Sequence, residues 1–142
     1  RLMTERKRMV LGAKKGAGPP PGYRWNVEYL TVAADEARSF LSEAQYEHVI
    51  DQLRSLAREE DPTHPSTVDV RAVEGLFELR EKGGPLGKIN VRVFFALPKE
   101  RRAIVILGAV KKEAEGKTPQ ATKLLMERRW RKYQSGDYGS LD

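Results

Sequence analysis

The sequence contains no cysteine and only two histidines, and both shortages exclude kinds of site. Without cysteine the chain has no disulfide, no thiolate metal site and no cysteine nucleophile. His48 and His64 are too few for a histidine metal site. No stretch approaches the ~18 consecutive apolar residues of a membrane-spanning helix, and no apolar run follows the basic N-terminus as it does in a secretory signal. We therefore expect a cytoplasmic protein with no metal, no other cofactor and no membrane partner.

Positive charge is plentiful and unevenly distributed along the 142 residues, a length that suits one domain. The net charge is +6. Residues 1–31 have a balance of +5, residues 32–70 one of −6, and residues 71–142 one of +7. Such segregation is typical of a protein with a basic face for a polyanion. An unevenly charged, solvated surface explains the same numbers.

The N-terminal segment lacks any hydrophobic period and ends in "GAGPPPG". Its prolines and glycines cannot continue a helix or a central strand. We assign residues 1–22 to a disordered basic arm and linker that is dispensable for folding. Residues 23–134 form the domain, and residues 135–142 a frayed tail.

Two helices have recognisable starts. Ser42 followed three residues later by Gln45 is a capping box, so a helix with one apolar stripe begins there. A shorter helical segment, residues 35–41, precedes it. Thr118 is predicted to cap the last helix, with Pro119 at its first position, and the helix runs to about Tyr133.

The strands are predicted from alternating apolar residues. They cover residues 24–31, an extended region at 68–80 with a bend at Gly75, and residues 89–97 and 103–110. The order β-αα-βββ-α predicts an α+β fold, with a small antiparallel sheet and helices packed on one face.

Arg92 is a cation inside an apolar strand, which is costly unless it meets water or a ligand. When two antiparallel strands pair so that their core-facing side chains lie on the same face of the sheet, the numbers of each pair of opposite residues add to an even number. Leu79 opposite Val91 is an example. Glu78 would then lie opposite Arg92. Either the two form an ordinary cross-strand ion pair, or Arg92 belongs to a functional patch.

That patch would lie on an open face of the sheet. Arg80 shares the face with Arg92, and the next strand ends in Lys111 and Lys112, which point to opposite faces, so that at least one joins the patch. Phe94 also lies on this face and offers a ring that can stack on a base or on a guanidinium group.

Four ordered segments carry a resemblance to a known family: "LFELR", "INVRVFFAL", "AIVILGAVKK" and "KTPQATKLLMERR". Together they resemble the RelE/ParE superfamily of bacterial toxins, and most closely its HigB-like, phage-related branch. The resemblance covers about residues 24–134. It implies a RelE-like fold and a toxin of a type II toxin–antitoxin pair. It further implies metal-independent mRNA cleavage on the ribosome by attack of the 2′-hydroxyl, giving a cyclic phosphate, and a helix-turn-helix antitoxin as partner.

The same resemblance implies the catalytic residues. "ELR" corresponds to a basic active-site residue at Arg80, and "VRVFF" to the family's arginine at Arg92. Many relatives have Tyr or His where this chain has Lys111 and Lys112, so the general base is left open between these two lysines.

Other cations complete the candidate site. The acid for the leaving group is left open between Lys88 and Tyr133, and packing in a stripe with Met126 and Trp130 is the favoured role of Tyr133. The predicted RNA-binding residues are Lys88, Phe94, Arg128, Arg129, Arg131 and Lys132. Those in the last helix also fit a simple role in complementing the helix dipole.

Three functions remain in competition. The first is a ribosome-dependent mRNA endonuclease, and the second is a gyrase-poisoning toxin of the ParE type on the same fold. The third is a nucleic-acid-binding domain without catalysis. The basic cluster favours the nuclease, because ParE-type relatives generally lack it.

Overall fold

The computed structural model describes residues 8–11, by their backbone alone, residues 18–112 and residues 116–136. The strands are β1 (Arg8–Leu11), β2 (Asn26–Leu30), β3 (Asp69–Val73), β4 (Leu76–Glu81), β5 (Asn90–Ala96) and β6 (Ala103–Lys112). The helices are α1 (Thr31–Phe40), α2 (Glu43–Ala57) and α3 (Gln120–Ser135). The predicted α+β class is confirmed.

One mixed sheet of six strands organises the fold, in the order β1-β2-β6-β5-β4-β3. The predicted antiparallel meander is present as β4, β5 and β6. The sheet is not antiparallel throughout, because β2 pairs in parallel with β6. This pairing makes β6 a central strand, which agrees with its apolar residues on both faces.

The extended region at 68–80 is a hairpin of two strands rather than one bent strand. Val73 pairs with Leu76 across the two-residue loop Glu74-Gly75. Both loop residues have positive φ, 48° and 88°, as in a type I′ turn. Glutamate is uncommon at such a position, so the sequence carries only the glycine as a turn signal.

Helices cover both faces of the sheet, whereas the prediction placed them on one. α1 and α2 cover the face that carries Val93, Phe95 and Ile106. α3 covers the other face, through Met126 and Tyr133, against side chains that include Phe94, Val105 and Leu107. The central strands have large apolar side chains on both faces, and burying both requires two helical layers.

Gly108 of β6 allows α3 to pack closely against the sheet. A Cβ atom at this position would overlap the Met126 side chain and come within 2.6 Å of an Arg129 guanidinium nitrogen. The middle of α3 is therefore held directly against β6.

The helix starts agree with the sequence in one case and differ in the other. Ser42 and Gln45 form the predicted capping box, with bonds of 3.2 and 2.9 Å. Pro119, not Thr118, precedes the first turn of α3, and no side chain caps it. The Thr118 hydroxyl instead donates to the Glu78 carboxylate at 2.5 Å, which brings the start of α3 to β4.

The N-terminal segment contains a strand where the sequence indicated a disordered arm. β1 (Arg8–Leu11) pairs antiparallel with β2 at the edge of the sheet. The remainder of the arm up to residue 17, and residues 137–142 of the predicted tail, lie outside the described residues. Within the described part, no helix is long and apolar enough to cross a membrane.

Candidate functional site

A cleft of about 440 Å³ opens where β4 ends and β5 begins. Its other wall is formed by residues 66–69, which lead into β3. The charged residues that line it include four cations, Arg71, Arg80, Lys82 and Arg92, and two acids, Asp69 and Glu81. This excess of cations makes the cleft a suitable site for a phosphate group.

Arg80 and Arg92 lie directly opposite each other in the sheet. The pairing of β4 with β5 sets Leu79 against Val93, Arg80 against Arg92, and Glu78 against Phe94. The predicted parity is therefore correct, but the register differs by two residues from the expected pairing of Glu78 with Arg92. The shift brings both arginines to the same level of the sheet, beside the cleft.

A buried carboxylate joins the two arginines. Glu78 has no exposed surface and accepts a hydrogen bond from Arg80 Nε at 2.6 Å. Arg92 lies 3.7 Å from the same carboxylate oxygen. The Arg92 guanidinium also donates to the Thr118 hydroxyl at 3.1 Å and to the Gly116 carbonyl at 2.6 Å. Glu78 offsets the charge of two cations that would otherwise repel across the strands.

The face that carries these arginines is covered, whereas the sequence predicted an open face. Arg92 is 4 % exposed beneath the start of α3, and Phe94 is fully buried. The Phe94 ring packs with Met126 and Leu107 and offers no free surface to a base. Arg80 is the more accessible arginine, with 20 % of its side chain exposed.

The two lysines at the end of β6 point to opposite faces, as predicted. Lys112 pairs with Asn90, and Lys111 pairs with Val91. Because side chains alternate along a strand, Lys112 shares the face of Arg80 and Arg92, whereas Lys111 lies on the face of α1 and α2. Neither lysine is among the described residues that line the cleft, and Lys112 is the one that lies on the side of the paired arginines.

The predicted RNA-binding cations of α3 divide into one buried residue and three at the surface. Arg129 is 4 % exposed and forms a two-bond ion pair with Glu36 of α1, at 2.8 and 2.9 Å. It also donates to the Leu107 carbonyl, so its contacts join α3 to α1 and β6. Arg128 and Arg131 are exposed and Lys132 is partly exposed, as is fitting for contacts with RNA, and Lys88 is exposed in the β4–β5 loop.

Tyr133 lies at the opposite end of the sheet from the cleft. Its hydroxyl donates to the buried Glu28 carboxylate and accepts from Arg101 at 3.1 Å. Burial, followed by the contact with Glu28, raises the pKa of Tyr133 above its ordinary value. Glu28 pairs with Val105 and Arg92 with Val110, a separation of about 16 Å along β6. Tyr133 also stacks on Trp130, which fits the packing role favoured for it.

The sequence alone does not reveal the two residues that organise the arginines. It indicates Glu78 only as a cross-strand ion-pair partner of Arg92, and Thr118 only as a helix cap. The alternation in "ELR" does place Glu78 and Arg80 on one face, but nothing in the sequence brings Thr118 to that face. Among the described residues, no group of three or more His, Asp or Glu side chains is arranged to hold a metal ion.

Comparison with known families identifies a matching family. A family model described as phage-derived protein Gp49-like (DUF891) matches residues 39–131. The matched region runs from the end of α1 into α3 and contains the cleft, the paired arginines and both lysines of β6. No curated protein matches the chain at a significant level.

Proposed function

The chain belongs to the Gp49-like family of phage-derived proteins, a RelE/HigB-like family of toxin–antitoxin toxins, and we propose that it is a toxin that cleaves mRNA on the translating ribosome. In this proposal it belongs to the HigB branch. It acts in the cytoplasm, without a metal or other cofactor, and is neutralised by a cognate helix-turn-helix antitoxin.

The state of the Arg80 guanidinium supports this proposal most strongly. Its Nε atom is bonded to Glu78, whereas its two terminal nitrogens have no hydrogen-bond partner among the described residues. They belong to a residue that lines the cleft. Two parallel N–H donors at the end of a fixed side chain match two oxygens of a phosphate group.

The proposed reaction uses a nucleophile that RNA itself supplies. The 2′-oxygen attacks the adjacent phosphorus, the bond from phosphorus to the 5′-oxygen breaks, and the products are a 2′,3′-cyclic phosphate and a 5′-hydroxyl. Arg80 stabilises the charge that develops on the phosphoryl oxygens, and Arg92 adds positive potential from beneath. Lys112 lies on the same face and is our candidate for transfer of a proton.

Mapping mRNA 5′ ends after the chain is induced in bacterial cells tests the proposal. For the wild-type chain we expect new 5′ ends inside translated reading frames, together with arrest of growth. We expect neither effect with Arg80→Lys, which keeps the positive charge but loses the two terminal guanidinium nitrogens. Broken DNA with intact mRNA would contradict the proposal in favour of the gyrase-poisoning alternative. Intact mRNA and intact DNA would contradict both.

A further inference from the structure

Glu78 is a fully buried carboxylate with both of its oxygens occupied by partners from the candidate site. Oε1 accepts from Arg80 Nε at 2.6 Å and lies 3.7 Å from the Arg92 guanidinium. Oε2 accepts from the Thr118 hydroxyl at 2.5 Å, and the same hydroxyl accepts from Arg92 at 3.1 Å. The chain of donors thus runs from Arg92 through Thr118 to Glu78, where it meets Arg80.

This arrangement excludes one role for Glu78 and favours another. A carboxylate without exposed surface cannot take a proton from a substrate hydroxyl in the cleft. It does fix the Arg80 side chain through Nε, the one guanidinium nitrogen that does not belong to the terminal fork. The two terminal nitrogens are thereby held in one orientation toward the cleft.

Repulsion between the two arginines is the second reason why Glu78 is needed to hold Arg80 in place. Arg80 and Arg92 are cross-strand partners, and two like charges at that spacing destabilise the pairing. In the absence of the carboxylate, the Arg80 side chain would turn toward water, since burial of an unpaired cation is costly. One negative charge between two positive charges keeps both arginines in place and leaves a net positive site.

We propose that Glu78 is a positioning residue, which orients Arg80 directly and Arg92 through Thr118, and so couples the alignment of both arginines to the start of α3. The inference rests on the proposed RNA cleavage and identifies what organises that site. A phosphate oxygen misplaced by about 1 Å is enough to cost about 100-fold in rate.

The test compares two buried glutamates of the same sheet. Glu28 of β2 is also fully buried and also accepts from a hydroxyl, that of Tyr133, and from an arginine, Arg101. Glu78→Gln and Glu28→Gln therefore remove the same charge from similar surroundings, but only the first adjoins the cleft. Single-turnover cleavage of mRNA on programmed ribosomes is measured per folded molecule, with the folded fraction obtained from urea unfolding.

We expect Glu78→Gln to lower the cleavage rate at saturation about 100-fold. The concentration of programmed ribosomes at half-saturation should change by less than about threefold. Glu28→Gln should retain the wild-type rate per folded molecule. Equal rates for Glu78→Gln and wild type, or equal losses in the two variants, would overturn the inference.

Two further measurements decide the case in which Glu78→Gln folds poorly. Thr118→Val keeps the shape of the side chain and removes the hydroxyl, so the rate should fall while ribosome binding persists. In NMR spectra, the Arg80 Nε–H resonance should shift in Glu78→Gln and in Thr118→Val, but not in Glu28→Gln. An unchanged resonance would refute the positioning role. Wild-type protein that cleaves no RNA would refute the proposed function, while the resonance would still report on Glu78.

Discussion

At the scale of single residues, Arg80 and Arg92 share one carboxylate but differ in what else they contact. Arg92 donates to Gly116 and Thr118 and is almost fully buried, so its removal would loosen the start of α3. The Arg80 side chain has a hydrogen bond only to Glu78 among the described residues. A substitution at Arg80 therefore separates catalysis from folding more cleanly than one at Arg92.

Arg80→Lys is expected to reduce cleavage on the ribosome about 100-fold, because one ammonium group cannot replace two directed donors. The charge beside Glu78 is kept, so the melting temperature should stay within a few degrees. Arg54→Lys is the control, since Arg54 pairs with Asp51 on the exposed side of α2. Comparable losses in the two variants would remove Arg80 from the proposed mechanism.

The lysines of β6 provide a second prediction. Lys112→Ala should lower the cleavage rate much more than Lys111→Ala, because only Lys112 shares the face of Arg80 and Arg92. Ribosome binding, which depends on many cations, should change little in either variant. Parallel measurements of single-turnover rate and binding distinguish the two steps. A larger effect at Lys111 would contradict the assignment of faces.

Tyr133 predicts a dependence of stability on alkaline pH. Because burial raises its pKa in the folded state, this residue contributes full stability below the unfolded pKa of about 10. The contribution is lost as pH rises above that value. Tyr133→Phe should lower the free energy of unfolding by about 1–3 kcal/mol at neutral pH, because Glu28 loses a hydrogen-bond donor. Between pH 9 and 11 the free energy of unfolding should fall less in this variant than in the wild type. Tyr23→Phe is the control at a residue nearer the surface, and urea unfolding measures both. The prediction fails if Tyr133→Phe and wild type lose the same stability over this range.

At the scale of elements, β1 changes the expectation that residues 1–22 are dispensable. β2 is buried along its whole length, and β1 pairs with its outer edge. Removal of β1 exposes that edge and its backbone groups.

A protein that starts at Tyr23 is therefore expected to melt about 5 °C or more below the full chain. One that starts at Arg8 keeps β1 and serves as the control. Thermal unfolding followed by circular dichroism provides the measurement. An unchanged melting temperature in the shorter protein would mean that β1 adds nothing to stability.

At the scale of the whole molecule, the acidic and the basic segments of the chain form different parts of the fold. The −6 segment, residues 32–70, forms most of α1 and all of α2, which cover one face of the sheet, and also residues 66–69 in one wall of the cleft. The rest of the cleft lining and the exposed cations of α3 belong to the +7 segment, residues 71–142. A polyanion such as ribosomal RNA is attracted to the cations of the +7 segment and repelled from the acidic helices α1 and α2.

This arrangement predicts that cleavage depends on the ribosome. The described part of the cleft contains cations but no histidine, the side chain that most often acts as a general base. The ribosome can supply what is lacking by holding mRNA with the 2′-oxygen in line for attack. We expect strong cleavage of ribosome-bound mRNA and weak cleavage of the same naked RNA in single-turnover assays. Equal rates would contradict this.

The sequence by itself determined the local features. The capping box at Ser42 and Gln45, the alternation of β5 and the parity of its pairing with β4 follow from rules that involve neighbouring residues. The resemblance carried by four segments indicated the same kind of toxin family that the match to residues 39–131 shows.

Only the tertiary structure decided the contacts between distant segments. The parallel pairing of β2 with β6, the position of α3 over Arg92, and the bond from Thr118 to Glu78 join residues far apart in the chain. No local period encodes such contacts. They result from burying two apolar faces at once and from the need of a buried carboxylate for donors. For that reason the sequence identified Arg80 and Arg92, which both line the cleft, whereas the fold left the first more accessible and buried most of the second beneath the start of α3.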